Sequence, residues 1–446
     1  MKDELHRLWS PETSLIRRAG EDACATLFRQ CLAGRGGAAL GLTAEGRCLI
    51  LRKAKGWNNC TADSATGCPV GKQRPLKILQ VASHSGVKRG GAVQMILLCR
   101  GLRQRGHQVS CVFHRRKGSG GEPLTEIADL SPRLFDLGRW ADMVRFRAWL
   151  RGERFDVVHS HRDPALRFCF LAARGLDIPA FVTQRGTIYR LPRWGVVRRA
   201  FRSRKLDRVI AVAEAIRRAL VERDGVAPGK VSVVYGGYDP ERFHRTVSGD
   251  RVRGEFAVES EIPLVGIVGA LINKKGHADF FEAAARVVEA LPSARFLVVG
   301  RGKPARFARQ LERLRLAPHV TFAGHRSDMP EVLAALNVLV CASTKGEGLT
   351  GALREAMAVG TPVVTTDVGG NTELVLHART GLVVPVGAPG ALAAAVVRLL
   401  KNPVEAARLR RAAEQRVHRL CLNSHRCERI EQIYREILAR KRPSAV

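Results

Sequence analysis

What most constrains the fold of this chain is an order of strand, glycine loop and helix that runs its course and then starts again. The first run begins after Leu76. Lys77–Ala82 is a short apolar segment closed by Ser83-His84-Ser85-Gly86, and Gly90-Gly91-Ala92 then opens a helical pattern reaching Arg105. Further strand-like runs stand at Gln108–His114, Phe155–His161, Ala180–Thr183, Arg208–Val212 and Val231–Tyr235, with helical stretches between them. The second run repeats the unit at Pro263–Gly269, Ala294–Gly300, Val320–Phe322, Val338–Cys341 and Pro362–Thr365. Strands that alternate with helices at this spacing build parallel sheets covered on both faces. The expected class is therefore α/β with two Rossmann-like domains, at 76–250 and 251–420, followed by a C-terminal helix and tail at 421–446. Residues 1–75 show no sustained period beyond a short helical pattern at Glu21–Leu32 and are expected to be a poorly ordered extension.

Ligands of open parallel sheets collect at the carboxyl ends of the strands, where the strand order reverses, so two facing sheets make a cleft. In the second run, strand Val338–Cys341 feeds the loop Ser343-Thr344-Lys345-Gly346-Glu347-Gly348-Leu349-Thr350, and a helix expected to start near Gly348 carries Glu355. Eight residues at 1.5 Å each set the carboxylates of Glu347 and Glu355 about 12 Å apart, the reach of a nucleotide-sugar. Free N–H groups of Gly348, Leu349 and Thr350 at such a helix start suit a pyrophosphate. One carboxylate can then accept hydrogen bonds from sugar hydroxyls and the other from a ribose diol.

This stretch resembles the Glu-x7-Glu motif of the retaining family 4 (group 1) glycosyltransferases of GT-B fold. The resemblance continues through Ala356-Met357-Ala358-Val359-Gly360-Thr361-Pro362-Val363-Val364 and Asp367-Val368-Gly369-Gly370-Asn371-Thr372-Glu373. Upstream, Gly90-Gly91-Ala92 resembles the family's glycine loop, Asp156-Val157-Val158-His159-Ser160-His161 its second sheet motif, and Lys274-Lys275-Gly276-His277 its donor-phosphate motif. The resemblance covers about residues 76–420. It implies that Glu347 contacts the donor sugar and Glu355 the ribose. Lys275 would meet the diphosphate, Gly90 and Gly91 would let backbone approach the phosphates, and His161 would touch the sugar. Lys275, Glu347 and His161 are thus the expected catalytic residues. One departure stands out, because the family's Gly-Arg-Leu reads Gly269-Ala270-Leu271 here, so a cation is missing that Lys274 or Arg301 would have to replace. No cofactor is expected, since the nucleotide-sugar is the substrate.

Charge sharpens the expectation of partners. The net charge is +33, and residues 76–245 alone carry 33 basic against 15 acidic side chains. Such a field attracts phosphates of any kind. The segment 185–208 concentrates it, with Arg185, Arg190, Arg193, Trp194, Arg198 and Arg199 forming a candidate face for an anionic inner-membrane surface or an acceptor. Phe135, Trp140, Phe146 and Trp149 read instead as core. The expected function is transfer of a sugar, with retention, from a nucleotide-sugar to a hydroxyl of a cell-envelope glycan or glycolipid resembling lipopolysaccharide. Nucleic acid is not an expected partner. The competing reading is a catalytically weak protein of the same fold that binds nucleic acid or anionic lipid; an epimerase of the same fold fits the Glu-x7-Glu pattern less well.

Composition narrows the rest. With 46% apolar and 26% charged residues the chain is neither disordered nor fibrous. No run of 18 apolar residues spans a bilayer, and the first residues lack the apolar stretch of a secretory signal, so the cytoplasm, or the inner face of its membrane, is the expected place. Eleven cysteines without a regular framework read as reduced thiols. His418, Cys421, His425 and Cys427 match no zinc spacing, and no metal site is expected. Gly67–Lys72 is one residue short of a phosphate-binding loop, and Asn59-Cys60-Thr61 carries no meaning in a cytosolic chain.

Overall fold

The computed structural model describes residues 74–87, 90–115 and 124–441, together with the backbone of two strands, β1 (Ala38–Leu42) and β2 (Cys48–Arg52). The chain divides into two compact units, Met1–Lys72 and Gln73–Val446. In the first, β1 and β2 pair antiparallel, with Leu40 opposite Ile50. Neither strand is expected from the sequence, because Ala-Ala-Leu-Gly-Leu and Cys-Leu-Ile-Leu-Arg lack the alternation of apolar and polar residues that marks a strand. The expected helix at 21–32, the glycosylation-like triplet and the loop at 67–72 lie outside the described residues.

The second unit holds two parallel sheets. In the first lobe the order is β5-β4-β3-β6-β7-β8-β9, from β3 (Lys77–Ala82), β4 (Gln108–His114), β5 (Arg133–Phe135), β6 (Val157–His161), β7 (Ala180–Arg185), β8 (Arg208–Ala211) and β9 (Val231–Val233). In the second lobe it is β12-β11-β10-β13-β14-β15, from β10 (Leu264–Val268), β11 (Arg295–Val299), β12 (Val320–Gly324), β13 (Val338–Cys341), β14 (Val363–Thr366) and β15 (Leu382–Val384). Sequence periodicity missed β5 and the edge strand β15, three residues each and too short for any period to register. Strand order reverses between β3 and β6 in one lobe and between β10 and β13 in the other, so the topology puts two crevices at carboxyl strand ends. These two points carry the motifs.

Each lobe is closed by one of the last two long helices. Pro403–Cys421 lays Ala413, Val417 and Cys421 into the second lobe's core. After Leu422 breaks the helical path, the C-terminal helix (Asn423–Lys441) returns to the first lobe. Its Cys427, Ile430, Ile433, Tyr434, Ile437 and Leu438 are buried with Ile78, Met95 and Leu98. At about 1.5–3 kcal/mol for each large apolar side chain, this face is enough to hold the helix against the lobe. Around the rim Glu431 binds Arg105 at 2.6 Å and Arg435 at 2.8 Å. The two chain crossings between lobes are pinned together, the Tyr238 N–H donating to the Cys421 carbonyl (2.9 Å) and the Asn423 N–H to that of Tyr238 (3.2 Å). Tyr238, Phe243 and Val252 lie in the second lobe's core. Cys421 and Cys427, adjacent in the cysteine and histidine cluster of the sequence, bury in the cores of different lobes.

Candidate functional site

The second lobe's wall is built almost entirely from one loop and one short helical turn. Asn273–Lys275 forms a single 3-10 turn after β10, and Gly276 follows with a φ of 68°. A side chain at Gly276 would clash with the Ala342 carbonyl, its Cβ falling 1.7 Å from that oxygen, so only glycine brings this turn against the loop after β13. The Thr344 N–H donates to the Lys274 carbonyl at 2.9 Å, which locks the two segments together. That junction brings Lys275 Nζ to 2.9 Å from Glu347 Oε1, and Glu347 is 6% exposed. Ser343 and Thr350 hydroxyls reach the same carboxylate at 3.5 Å each.

The site helix begins at Gly351 rather than at Gly348. Gly348 and Leu349 bend the loop, and Thr350, extended, is the residue before the first helical turn, its N–H donating to Asn371 Oδ1 at 3.2 Å. The free helix-start amides expected at 348–350 therefore belong to the turn that begins at 351. Glu355 stands one turn in, half-buried, and burial raises its carboxyl above the ordinary range while Arg354 and Arg242 pull it back. Arg354 escaped the sequence analysis. It is 2% exposed, its Nη2 lies 3.5 Å from Glu355 Oε1, and its Nη1 occupies the space that a Cβ on Gly236 would need. Lys274 is half-buried beside Lys275, and Arg301 is exposed with its carbonyl bound by the Leu271 N–H.

The first lobe supplies the opposite wall. Thr187 and Glu347 face each other in an antiparallel bridge, and the Ile188 N–H donates to the Gly346 carbonyl at 3.2 Å. Gly348 permits this approach, since its Cβ would fall 2.4 Å from the Gly186 carbonyl oxygen. The Glu347 loop thus lies in the groove between lobes, not on an outer surface. Nearby the Glu373 carboxylate accepts from the N–H groups of Glu214 and Ala215, both at 2.7 Å, and from the Tyr235 hydroxyl at 3.1 Å. Glu373, quoted above only as part of a motif, clasps one lobe to the other. Gly90 and Gly91 open the helix Gly90–Gln104 and are exposed, with the His84 ring over Gly91. His161 ends β6 but is only 3% exposed, stacked on His159 with ring centroids 4.5 Å apart. Burial, reinforced by the neighbouring His159 and Arg426 charges, keeps His161 well below the usual histidine range.

Two expectations for the basic face are corrected. Arg185 is 3% exposed: it pairs with Asp163 at 3.2 Å, donates to the Tyr189 carbonyl at 2.6 Å and lies 3.8 Å over the Tyr189 ring. A guanidinium so engaged is structural, not a membrane contact. Arg198 is half-buried and donates to the Asp224 carbonyl at 2.8 Å. Arg190, Arg193, Arg199 and Trp194 do stand outward, Trp194 at 84% exposure. Trp140, read as core, is 73% exposed, whereas Phe135, Phe146 and Trp149 pack together. The difference is periodic: on the helix Trp140–Glu153, Phe146 faces the sheet and Trp140 is its first residue, with no turn behind it to bury the ring.

Two Rossmann-like parallel-sheet lobes facing each other across a groove are the architecture of the GT-B glycosyltransferases. Comparison with known proteins agrees. The family described as "Glycosyltransferase Family 4" matches residues 88–242, and that described as "Glycosyl transferases group 1" matches residues 262–402. The chain is 25% identical over 308 residues to the UDP-Gal:alpha-D-GlcNAc-diphosphoundecaprenol alpha-1,3-galactosyltransferase of Escherichia coli, covering 63% of this chain and 78% of that one. It is 28% identical over 347 residues to the phosphatidyl-myo-inositol mannosyltransferase of Mycobacterium tuberculosis, covering 74% and 89%. Anabaena HepE, crystallised with UDP, superposes with a TM-score of 0.70 at 20% identity, over 81% of this chain and 100% of that one. The protein belongs to the group 1, or family 4, glycosyltransferases.

Proposed function

We propose that the enzyme transfers a sugar, with retention of configuration, from a nucleotide-sugar to a hydroxyl of a lipid-linked glycan of the cell envelope. The observation that carries this reading is the Lys275–Glu347 pair at 2.9 Å, buried in the groove between the lobes. A diphosphate entering there meets Lys275 and the amides at the start of the site helix, and Glu347, relieved of part of its pairing, is left to accept from sugar hydroxyls. In this reading Glu355 accepts from a ribose diol, and Gly90, where an added Cβ would meet nothing within 4 Å, leaves the first lobe's helix start open to the phosphates, with the His84 ring over Gly91 beside it. The donor needs no cofactor beside it. In the mechanism implied for such a site no protein base is obligatory: a donor phosphate oxygen takes the acceptor proton as the leaving diphosphate separates. The cation absent at Ala270 is made good by Lys274 or Arg301, or by Arg354 close to the helix start.

Support for a lipid-linked acceptor comes from the two relatives, whose names specify a diphosphoundecaprenol and a phosphatidylinositol substrate. No helix among the described residues is long and apolar enough to cross a membrane. The outward Arg190, Arg193, Trp194 and Arg199 offer an anionic surface of the inner membrane a place to bind, each cation contributing about 1 kcal/mol. A panel of UDP-, GDP- and ADP-sugars, read by thermal stabilisation and then by turnover on a lipid-linked acceptor, tests the proposal. Stabilisation by one nucleotide class with an α-linked product from an α-linked donor is expected. Salt-sensitive binding of DNA with no response to any sugar nucleotide would overturn it in favour of a non-catalytic binding protein.

A further inference from the structure

At the end of β6, His159 and His161 project to the same face of the sheet, as alternate residues of a strand must, and Gln80 lies across from His159 on β3. Behind them the C-terminal helix inserts Tyr434. The four side chains form one chain of hydrogen bonds. Tyr434 Oη lies 2.6 Å from His159 Nδ1, Gln80 Nε2 donates to Tyr434 Oη at 3.1 Å, and His161 Nε2 lies 2.7 Å from Gln80 Oε1. Gln80, His159 and Tyr434 are fully buried and His161 nearly so.

The direction of this chain is set by its amide. An amide nitrogen only donates and an amide oxygen only accepts. With Gln80 Nε2 turned to the phenol, the Tyr434 oxygen accepts from the amide, and the phenol's own hydrogen has His159 Nδ1, 2.6 Å away, to receive it. Gln80 Oε1 in turn requires a hydrogen on His161 Nε2. A neutral imidazole carries one N–H, so His161 Nδ1 is left as a bare lone pair. That atom is buried and has no partner among the described residues. Both rings are neutral near pH 7, since burial lowers His159 to about 3 and His161 likewise falls well below its ordinary value.

We infer that Tyr434 and Gln80 are positioning residues that hold His161 in its Nε2–H tautomer, so that Nδ1 accepts a hydrogen from a hydroxyl of the bound sugar. The inference rests on the proposal that His161 meets the donor sugar. It adds a selectivity: a hydroxyl at that position is accepted, and a carboxylate, which offers only lone pairs, is excluded. It also gives the C-terminal helix a part in the chemistry of a site to which it contributes no ligand. The hydroxyl of Tyr434 sits 275 residues from His159 in the chain, and its effect passes through Gln80.

Nitrogen-15 NMR of histidine-labelled protein reads the tautomer directly. His161 is expected to show a protonated Nε2 and an unprotonated Nδ1 at pH 7; the opposite pattern overturns the inference whatever the enzyme's substrate. In Tyr434→Phe, which keeps the ring and removes only the hydroxyl, the two tautomers of His161 should mix. Its kcat/KM for the sugar nucleotide should fall about tenfold, the equivalent of one neutral hydrogen bond, while affinity for the sugar-free nucleoside diphosphate stays within about twofold. Equal losses for both ligands, or no loss, would defeat the positioning role. Gln80→Met, which breaks the chain at its other link, should reproduce the pattern and serves if the tyrosine variant does not fold. Unchanged sugar-nucleotide kinetics in His161→Ala would instead remove the underlying reading of the sugar contact, while the NMR result would still decide the tautomer.

Discussion

The two walls of the cleft are made in opposite ways. The second lobe's wall comes from two short segments of that one lobe: Lys275 on the turn after β10, and Ser343, Glu347, Thr350 and Glu355 on the loop and helix start after β13, locked by bonds such as that from the Thr344 N–H to the Lys274 carbonyl. The first lobe's wall is assembled from distant pieces, with Gln80 on β3, His159 and His161 on β6, Gln184 on β7, and Tyr434 and Arg426 on a helix that arrives after the second lobe is complete. A wall made locally can be changed one residue at a time. One made from distant pieces transmits a change at the C-terminal helix to the site.

That contrast is open to direct attack. The largest effect is expected on the local wall: Lys275→Ala should lower kcat about 10²- to 10³-fold while a nucleoside diphosphate still binds by calorimetry, and an unchanged kcat would remove Lys275 from the chemistry. On the assembled wall, Ile433→Ala, a fully buried side chain of the C-terminal helix, should cost about 2–5 kcal/mol of first-lobe stability. Hydrogen exchange should show the loss in β3 and β6 before β10 and β13; uniform loss would mean the helix serves both lobes alike. Glu373→Gln tests the clasp between the walls. It replaces a carboxylate that accepts two backbone N–H groups, so a loss of about 1–3 kcal/mol is expected, seen as a raised donor KM and a larger radius of gyration in solution.

Acid should reach both walls. His159 and His277 are held by burial at about 3 and about 4, and burial keeps His161 well below the ordinary histidine range too, so all three stay neutral in the folded protein where the unfolded chain would protonate. Stability is therefore complete above pH 6.5 and falls as the pH drops from there toward 4. The loss should be about 1 kcal/mol per histidine by pH 5.5, measurable by chemical denaturation at stepped pH. The smallest effect belongs to the outer face, where Trp194→Ser should weaken sedimentation with anionic vesicles a few-fold and leave turnover on a soluble acceptor untouched.

The difference between the walls also explains what could be read in advance. Both parallel sheets and the separate motifs that hold Lys275 and Glu347 follow from segments in which neighbouring residues carry the signal, whereas the pairing of those two side chains came only with the structure. Even there, the site helix starts three residues later than the strand and glycine loop suggest, and the Asn371 side chain, twenty-one residues on, binds the Thr350 N–H just ahead of it. Arg185 stood in a strongly basic stretch and looked like surface; Asp163, brought to it from the end of the neighbouring strand, and the Tyr189 ring, four residues on, bury it. Trp194, in the same stretch, stays out.

By itself the order of residues determined an α/β chain of two parallel-sheet lobes and the glycosyltransferase motifs along it, because strand, loop and helix signals each act over a few residues. Only the tertiary structure decided which buried groups meet: Arg354 with Gly236, Glu373 with the amides of Glu214 and Ala215, and Tyr434 with Gln80 and His159. Such contacts depend on where chain segments hundreds of residues apart come to rest, and burial makes each of them selective, since a polar group shut away from water must find its partner there.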